Sequence, residues 1–237
     1  MQRFAAADGF LRSLELTDLK PGLPVKEYLD QAGDADFIVV DAISSVSGEL
    51  IKQMPNLKVI HSEGVAYNAI DLKAADEYGV YVCNAKGMNA MAVAEQAVLL
   101  MVGMLRNVVV NDAAVRNGHQ IETKEGYMQN GNLYELADCS VGLIGFGDIA
   151  QKTARLLKAY GVKEIYYYKR HRLDLEQEQQ FGVQYRELDD LLAQSQIVSL
   201  HLPVTKATRH MADQTFFAKM QPGSYLVNTA RGELVDE

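Results

Sequence analysis

Apolar residues along the chain fall into short runs separated by amphipathic stretches, and the alternation is regular enough to predict elements. Phe37-Ile-Val-Val-Asp41, Leu57-Lys-Val-Ile-His61 and Val80-Tyr-Val-Cys83 read as buried parallel strands. Between them, 47–54 reads as a helix with Ser47 as its N-cap, and 71–78 as a helix stopped by Gly79. A long helical pattern from about Ala92 to Asn117 follows, and the polar stretch 118–138 reads as an irregular loop over the surface or against a second subunit. A second block begins at Ser140. Its strands are expected at 140–144, 163–168, 197–200 and 225–228, with helices after the first of these, at 186–194 and at 213–219. The β–α–β rhythm in both blocks gives the fold class as α/β with parallel sheets.

Bulk properties narrow the function. The chain has 237 residues and a formal net charge of −8, which disfavours a nucleic-acid partner. Residues 91–110 form the one candidate membrane segment. Glu95, Gln96, Arg106 and Asn107 interrupt it, so a buried interdomain or interface helix is expected instead. The N-terminus shows no basic region followed by an apolar core, so no signal peptide is expected. Cys83 and Cys139 follow no metal or redox spacing, and both are expected to be reduced thiols in a cytoplasmic protein without a metal site.

The strongest chemical signal is Ser140-Val-Gly-Leu-Ile-Gly-Phe-Gly-Asp-Ile-Ala150, a strand followed by Gly145-x-Gly147-x-x-Ala150 and a helical pattern closed by Gly161. Gly145 permits the tight turn, Gly147 lets the backbone approach a pyrophosphate, and Ala150 lets helix and strand pack closely. Backbone N–H groups of Asp148 and Ile149 open the helix toward the phosphates. The bland alternative is a structural glycine turn.

Further motifs occur in a fixed order. They are Gly64-Val-Ala-Tyr-Asn-Ala-Ile-Asp71, Val93-Ala-Glu95, His201-Leu-Pro203-x-Thr205-x-x-Thr208, Met220-x-Pro-Gly223 and Val227-Asn-Thr-Ala-Arg-Gly232. On these the chain resembles the D-isomer-specific 2-hydroxyacid dehydrogenases from Asp36 to its end. The resemblance implies a Rossmann-type doubly wound sheet with an interdomain helix over 91–237, and a smaller flavodoxin-like substrate domain over 1–90, both partial. It implies hydride transfer between a nicotinamide dinucleotide and a small 2-keto or D-2-hydroxy acid in the cleft between the blocks, and a homodimer formed through the long helix and the 118–138 segment.

By the same resemblance Arg231 holds the substrate carboxylate and polarises the keto oxygen, a task suited to a forked guanidinium. The N–H groups around Val65 and Ala66 complete the carboxylate site. Many relatives have glycine where this chain has Ala66, which matters if the backbone there needs a positive φ. His201, Pro203 and Thr208 wall the cofactor site near phosphate or ribose, and Thr229 and Ala230 adjoin it. His201 read without the resemblance is a tempting general base or a structural histidine.

Coenzyme choice turns on the second Rossmann strand. Where an NAD enzyme carries an acidic residue for the ribose 2′-hydroxyl, this chain has Tyr168, followed by Lys169, Arg170, His171 and Arg172. NADP is therefore favoured over NAD, with a solvated basic loop as the alternative.

The resemblance also implies segments beyond residue 237, including a further Rossmann strand and a His–Glu pair that handles the substrate proton. None of the five histidines here occupies that motif. The family's opening strand is not evident before Asp36, with 10–16 a weak substitute. The expectation is a fragment of a longer enzyme or a truncated gene product, poorly active alone, since a positioned general acid contributes about 10²–10⁴-fold. Two alternatives are a non-catalytic dinucleotide-binding module of the same fold, like the corepressors, and an inactive fragment. A Rossmann methyltransferase gives the 228–232 motif no role.

Overall fold

Residues 14–131 and 133–237 are described by a computed structural model, and they divide between Met88 and Asn89 into two units. Residues 10–13 of the suggested opening strand lie outside the described residues, and 15–20 carry no regular structure.

In the first unit, β-branched runs make three parallel strands in the order β1–β2–β3: β1 (Phe37–Val40), β2 (Val59–Ser62) and β3 (Tyr81–Asn84). Helix α1 (Val25–Ala32), which has no side-chain cap, precedes them. α2 (Gly48–Lys52) and α3 (Leu72–Glu77) connect the strands. Their starts are chemically fixed. Ser47 Oγ accepts from Leu50 N–H at 3.3 Å, and Asp71 Oδ1 accepts from Ala74 N–H at 3.0 Å. Ile38, Ile51, Met54, Ile60 and Val80 pack into the core between these helices and one sheet face. On the alternate strand positions Phe37, Val39 and Tyr81 are exposed.

The second unit opens with α4 (Ala90–Leu105) and α5 (Val108–Arg116), which replace the single helix expected over 92–117. The break is at Asn107, whose φ of 48° is left-handed, and the two helices meet at 61°. Asparagine tolerates this conformation better than other side chains. The expected loop over 118–138 is also corrected: 120–130 is helix α6 (Gln120–Asn130), with no buried residue. Among the described residues, no single helix is long and apolar enough to cross a membrane.

The main sheet follows, with β4 (Ser140–Ile144), β5 (Glu164–Tyr168), β6 (Gln184–Tyr185), β7 (Ile197–Leu200) and β8 (Tyr225–Asn228). All neighbours are parallel in the order β6–β5–β4–β7–β8. Interleaved are α7 (Asp148–Ala159), α8 (Leu175–Phe181), α9 (Leu188–Gln194) and α10 (Gln214–Lys219). α8 was not expected, and α9 is shorter than the helix expected over 186–194.

Every residue of β4 and β7 is buried, as central parallel strands covered on both faces require. Val141, Leu143 and Tyr167 join α4 and α7 on one side, while Ile144, Val198 and Leu200 join α9 and α10 on the other. At Gly142 a Cβ would lie 2.4 Å from Leu191 Cδ2, so α9 packs directly on the strand backbone. The chain reverses direction across the sheet between β4 and β7. The carboxyl ends of those two strands are therefore the switch point where open α/β sheets bind ligands.

Candidate functional site

At that switch point β4 runs into Gly145, whose φ is +87°. Its N–H donates to Tyr168 O at 2.9 Å, and Ile144 O accepts from His201 N–H at 2.8 Å. Gly145, Tyr168 and His201 are thus drawn together at the carboxyl ends of three adjacent strands. A Cβ on Gly145 would stand 2.6 Å from His201 O, whereas one on Gly147 would meet nothing within 4 Å. The first glycine is needed by the fold, and the second leaves open space over the helix start.

That helix start is free to bind an anion. Gly147 caps α7 without any side-chain hydrogen bond. The first intrahelical bond there is Gln151 N–H to Gly147 O at 2.9 Å, so the N–H groups of Asp148, Ile149 and Ala150 have no intrahelical acceptor. Across the switch point, Thr229 Oγ1 is buried without a hydrogen-bond partner among the described residues. A buried unpaired hydroxyl is costly, and a polar ligand would satisfy it. Open space at Gly147, unsatisfied donors on α7 and the orphan hydroxyl of Thr229 together fit a dinucleotide.

His201 sits half-buried, its Nε2 3.0 Å from the hydroxyl of fully buried Ser199. Loss of solvent pushes its pKa down to about 4, so it is neutral at physiological pH. Beyond it, Pro203 O accepts from the Thr208 hydroxyl at 2.7 Å, and Thr208 Oγ1 accepts from Thr205 N–H at 2.8 Å. Thr208 therefore shapes the turn through its hydroxyl, and Pro203 anchors it.

Arg231 lies three residues past β8, exposed, with one guanidinium nitrogen donating to Ala230 O at 2.7 Å. Among the described residues it has no carboxylate partner. Its loop is held by a residue that motif spacing alone did not single out. Asn228 Oδ1 accepts from Ala230 N–H at 3.0 Å, and Asn228 Nδ2 donates to Arg231 O at 2.7 Å.

In the first unit the 64–70 loop needs no left-handed residue. Neither Gly64 nor Ala66 has a positive φ, so alanine at 66 is no obstacle. Asn84 Nδ2 donates to Val65 O at 2.7 Å and Ser62 Oγ donates to Ala66 O at 2.6 Å. Their carbonyls are pinned while the N–H groups of Val65 and Ala66 stay without an intramolecular acceptor among the described residues. Gly64 is required for a different reason: a Cβ there would lie 2.4 Å from Ala42 Cβ.

The basic run after β5 is one group smaller than its sequence suggests. Arg172 is held by Glu178, with Nε to Oε1 at 2.8 Å and a second nitrogen to Oε2 at 3.0 Å. Lys169, Arg170 and His171 make no side-chain hydrogen bond or ion pair among the described residues, and they remain as the available basic groups.

Comparison with known proteins shows the family. Residues 98–237 match the family model described as D-isomer specific 2-hydroxyacid dehydrogenase, NAD binding domain. The chain belongs to the D-isomer specific 2-hydroxyacid dehydrogenases. It is 35% identical over 209 residues to the glyoxylate reductase of Thermococcus litoralis, covering 88% of this chain and 62% of that protein. It is also 35% identical over 225 residues to the hydroxypyruvate reductase of Thermotoga maritima, covering 94% of this chain and 69% of that protein.

Among solved structures, the D-lactate dehydrogenase of Aquifex aeolicus complexed with NAD and lactic acid aligns with a TM-score of 0.75 at 29% identity. That alignment covers 91% of this chain and 61% of the other. The chain thus spans 61–66% of the length of the archaeal glyoxylate reductases it matches. The residues matched by the NAD binding domain model, 98–237, include the switch-point crevice of the second unit.

Proposed function

We propose that the protein transfers hydride between NAD(P)H and a small 2-keto or D-2-hydroxy acid, with NADPH the preferred coenzyme. One observation carries the reading. The open N-terminus of α7, the Thr229 hydroxyl and the Arg231 guanidinium, the last two without a side-chain partner among the described residues, all lie at one carboxyl edge of a single sheet.

When bound, the coenzyme supplies the hydride. The chain's residues do the rest. N–H groups of Asp148 and Ile149 hold the pyrophosphate, with Gly147 leaving room for it. Arg231 pairs with the substrate carboxylate and polarises the keto oxygen, so negative charge developing on that oxygen is stabilised by a fixed donor. The free N–H groups of Val65 and Ala66 are donors of a kind suited to a carboxylate. His201, whose pKa is pushed down to about 4 by loss of solvent, is neutral at neutral pH and poorly suited to donate a proton as an imidazolium. Its place is in the wall of the coenzyme site.

NADPH preference rests on charge. β5 ends at Tyr168 where a carboxylate would favour NAD, and Lys169, Arg170 and His171 are free to meet a 2′-phosphate. Among the described residues, the one carboxylate bonded to this turn, that of Glu178, is paired with Arg172. Homodimer formation is a further part of the reading, supported by exposed Val109, Val115, Ile121 and Met128 on α5 and α6, and light scattering tests it.

The deciding experiment follows oxidation of NADPH and NADH by the full-length protein with glyoxylate, pyruvate and hydroxypyruvate, alongside equilibrium titration of both coenzymes. Turnover on at least one keto acid, with tighter NADPH binding, is the expected result. Tight coenzyme binding with no turnover on any keto acid indicates a non-catalytic dinucleotide-binding module. Tighter NADH binding overturns the coenzyme assignment.

A further inference from the structure

The turn that carries Lys169 and Arg170 is fixed at both ends. Upstream, Tyr168 O accepts from Gly145 N–H at 2.9 Å. Downstream, the hydroxyl of fully buried Tyr167 accepts from Leu173 N–H at 2.9 Å and donates to Glu178 Oε1 at 2.8 Å. Glu178 reaches this point from α8, whose start is set by Asp174 Oδ1 accepting from Gln177 N–H at 2.7 Å. Both oxygens of the same carboxylate bind Arg172, and the Arg172 guanidinium lies 5.3 Å from the centre of the Tyr185 ring. One hydroxyl and one carboxylate therefore close the base of the turn.

Tyr167 and Glu178 of this cluster are buried against the glycine turn itself. The Phe146 ring, between the two glycines, lies 4.8 Å from Tyr167 and 5.5 Å from Phe181 of α8. Glu178 is only 8% exposed, and a buried carboxylate is tolerated only where partners compensate its lost hydration. Its pKa is lowered, chiefly by Arg172, and the Tyr167 hydroxyl is pushed up to about 12 by burial and by Glu178. The carboxylate stays charged and the hydroxyl stays protonated, as the observed donors and acceptors require. Nothing in the hydride-transfer chemistry uses these groups.

We propose that Glu178, acting through Tyr167 and Arg172, is a positioning residue for recognition of the coenzyme 2′-phosphate: it holds the 169–173 turn in the shape that lets Lys169 and Arg170 meet that group. The inference rests on the NADPH preference proposed above. It makes a prediction whose sign is unusual. Removing a carboxylate beside a phosphate site strengthens phosphate binding if only charge matters. If Glu178 works by holding the turn, the same removal weakens it.

Fluorescence titration of the full chain with NADPH and with NADH tests this on Glu178→Gln, Tyr167→Phe and a charge control, Glu176→Gln. Glu176 is exposed on the same helix and makes no side-chain hydrogen bond or ion pair among the described residues. Glu178→Gln is expected to raise the NADPH Kd about tenfold, the scale of one lost charge-assisted contact, with the NADH Kd within about twofold. Tyr167→Phe shifts NADPH in the same direction by about threefold, and Glu176→Gln leaves both coenzymes within about twofold.

Unchanged or tighter NADPH binding by Glu178→Gln overturns the proposal. So does an equal loss for both coenzymes, which marks a purely structural role. Tyr167→Phe keeps the Arg172–Glu178 pair, so it decides the question if Glu178→Gln does not fold. The NADPH:NADH ratio of the unmodified chain tests the coenzyme preference, and the variant-to-parent ratio tests the clasp, so the two can fail separately.

Discussion

A methyl group on Gly145 would stand 2.6 Å from the carbonyl oxygen of His201, a backbone atom of the neighbouring strand's end that cannot move aside. The φ of +87° at Gly145 adds a penalty of about 1–2 kcal/mol for any L side chain. Gly145→Ala is therefore expected to lower the melting temperature by at least roughly 2–8 °C, at about 2–4 °C per kcal/mol for a chain of this size. Gly147→Ala meets neither obstacle. Its melting temperature should match the parent's, while coenzyme affinity falls because the new methyl occupies the space over the α7 N-terminus. Paired thermal melts and coenzyme titrations check both, and a stable, coenzyme-binding Gly145→Ala would contradict the geometry.

The pKa of His201 gives a dependence on pH with a definite sign. In the folded chain it lies at about 4, below the ordinary value of 6.5, so the unfolded chain takes up the proton first as pH falls. The stability associated with this shift is whole above pH 6.5 and is lost on acidification from there toward pH 4. At pH 5 the loss amounts to about 2 kcal/mol. Urea unfolding at pH 7 and pH 5 should show a drop that is smaller by that amount in His201→Gln. An equal drop in both proteins would mean that the imidazole is not desolvated as described.

The strand–turn–helix at 140–159 was legible because each level pointed the same way: an apolar run, spaced glycines, then a helical period. The cap Ser47 was legible for a similar reason, since a short polar side chain stood just before an apolar pattern, while Asp71 and Asp213, read only as the first residues of their helices, turn out to be caps as well. The break at Asn107 was not. Apolar spacing runs through it unbroken, and neither glycine nor proline marks it. α6 lacks any buried residue, so it has no apolar stripe to betray a helix. α8 had its signals, Asp174 before it and left-handed Gly182 after it, but its polar run of Glu and Gln masked them.

Motif spacing singled out Gly145, His201 and Arg231 as candidates. Asn228, which holds the Arg231 loop, and Tyr167 and Glu178, which close the 169–173 turn, act through side-chain contacts that exist only once the strands are aligned.

The left-handed conformation of Asn107 can be tested directly. Glycine there removes the Cβ penalty and should leave stability within about 0.5 kcal/mol of the parent, after its greater unfolded-state entropy is counted. Valine, branched at Cβ, should destabilise the chain by at least about 1–2 kcal/mol. Denaturant unfolding of Asn107→Gly and Asn107→Val checks the order. A tolerated valine would mean that 90–116 can form one continuous helix.

Asn228 contributes two hydrogen bonds to the loop that presents Arg231, one accepted from Ala230 N–H and one donated to Arg231 O. Asn228→Ala removes both and should destabilise the chain by about 1–2 kcal/mol, the scale of two net hydrogen bonds. Asn228→Asp keeps the acceptor for Ala230 and loses only the donor, so it should fall between. The more telling effect is on ligand binding. The Arg231 guanidinium is exposed, so Arg231→Lys should leave stability within about 0.5 kcal/mol of the parent while substrate carboxylate binding falls, because an ammonium lacks the two-pronged geometry. Asn228→Ala should reproduce that loss with the arginine intact, since a loosened loop no longer holds the fork in place. Coenzyme titration separates this from general damage. If keto-acid and coenzyme affinities fell together in Asn228→Ala, the residue would be supporting the sheet edge rather than aiming Arg231.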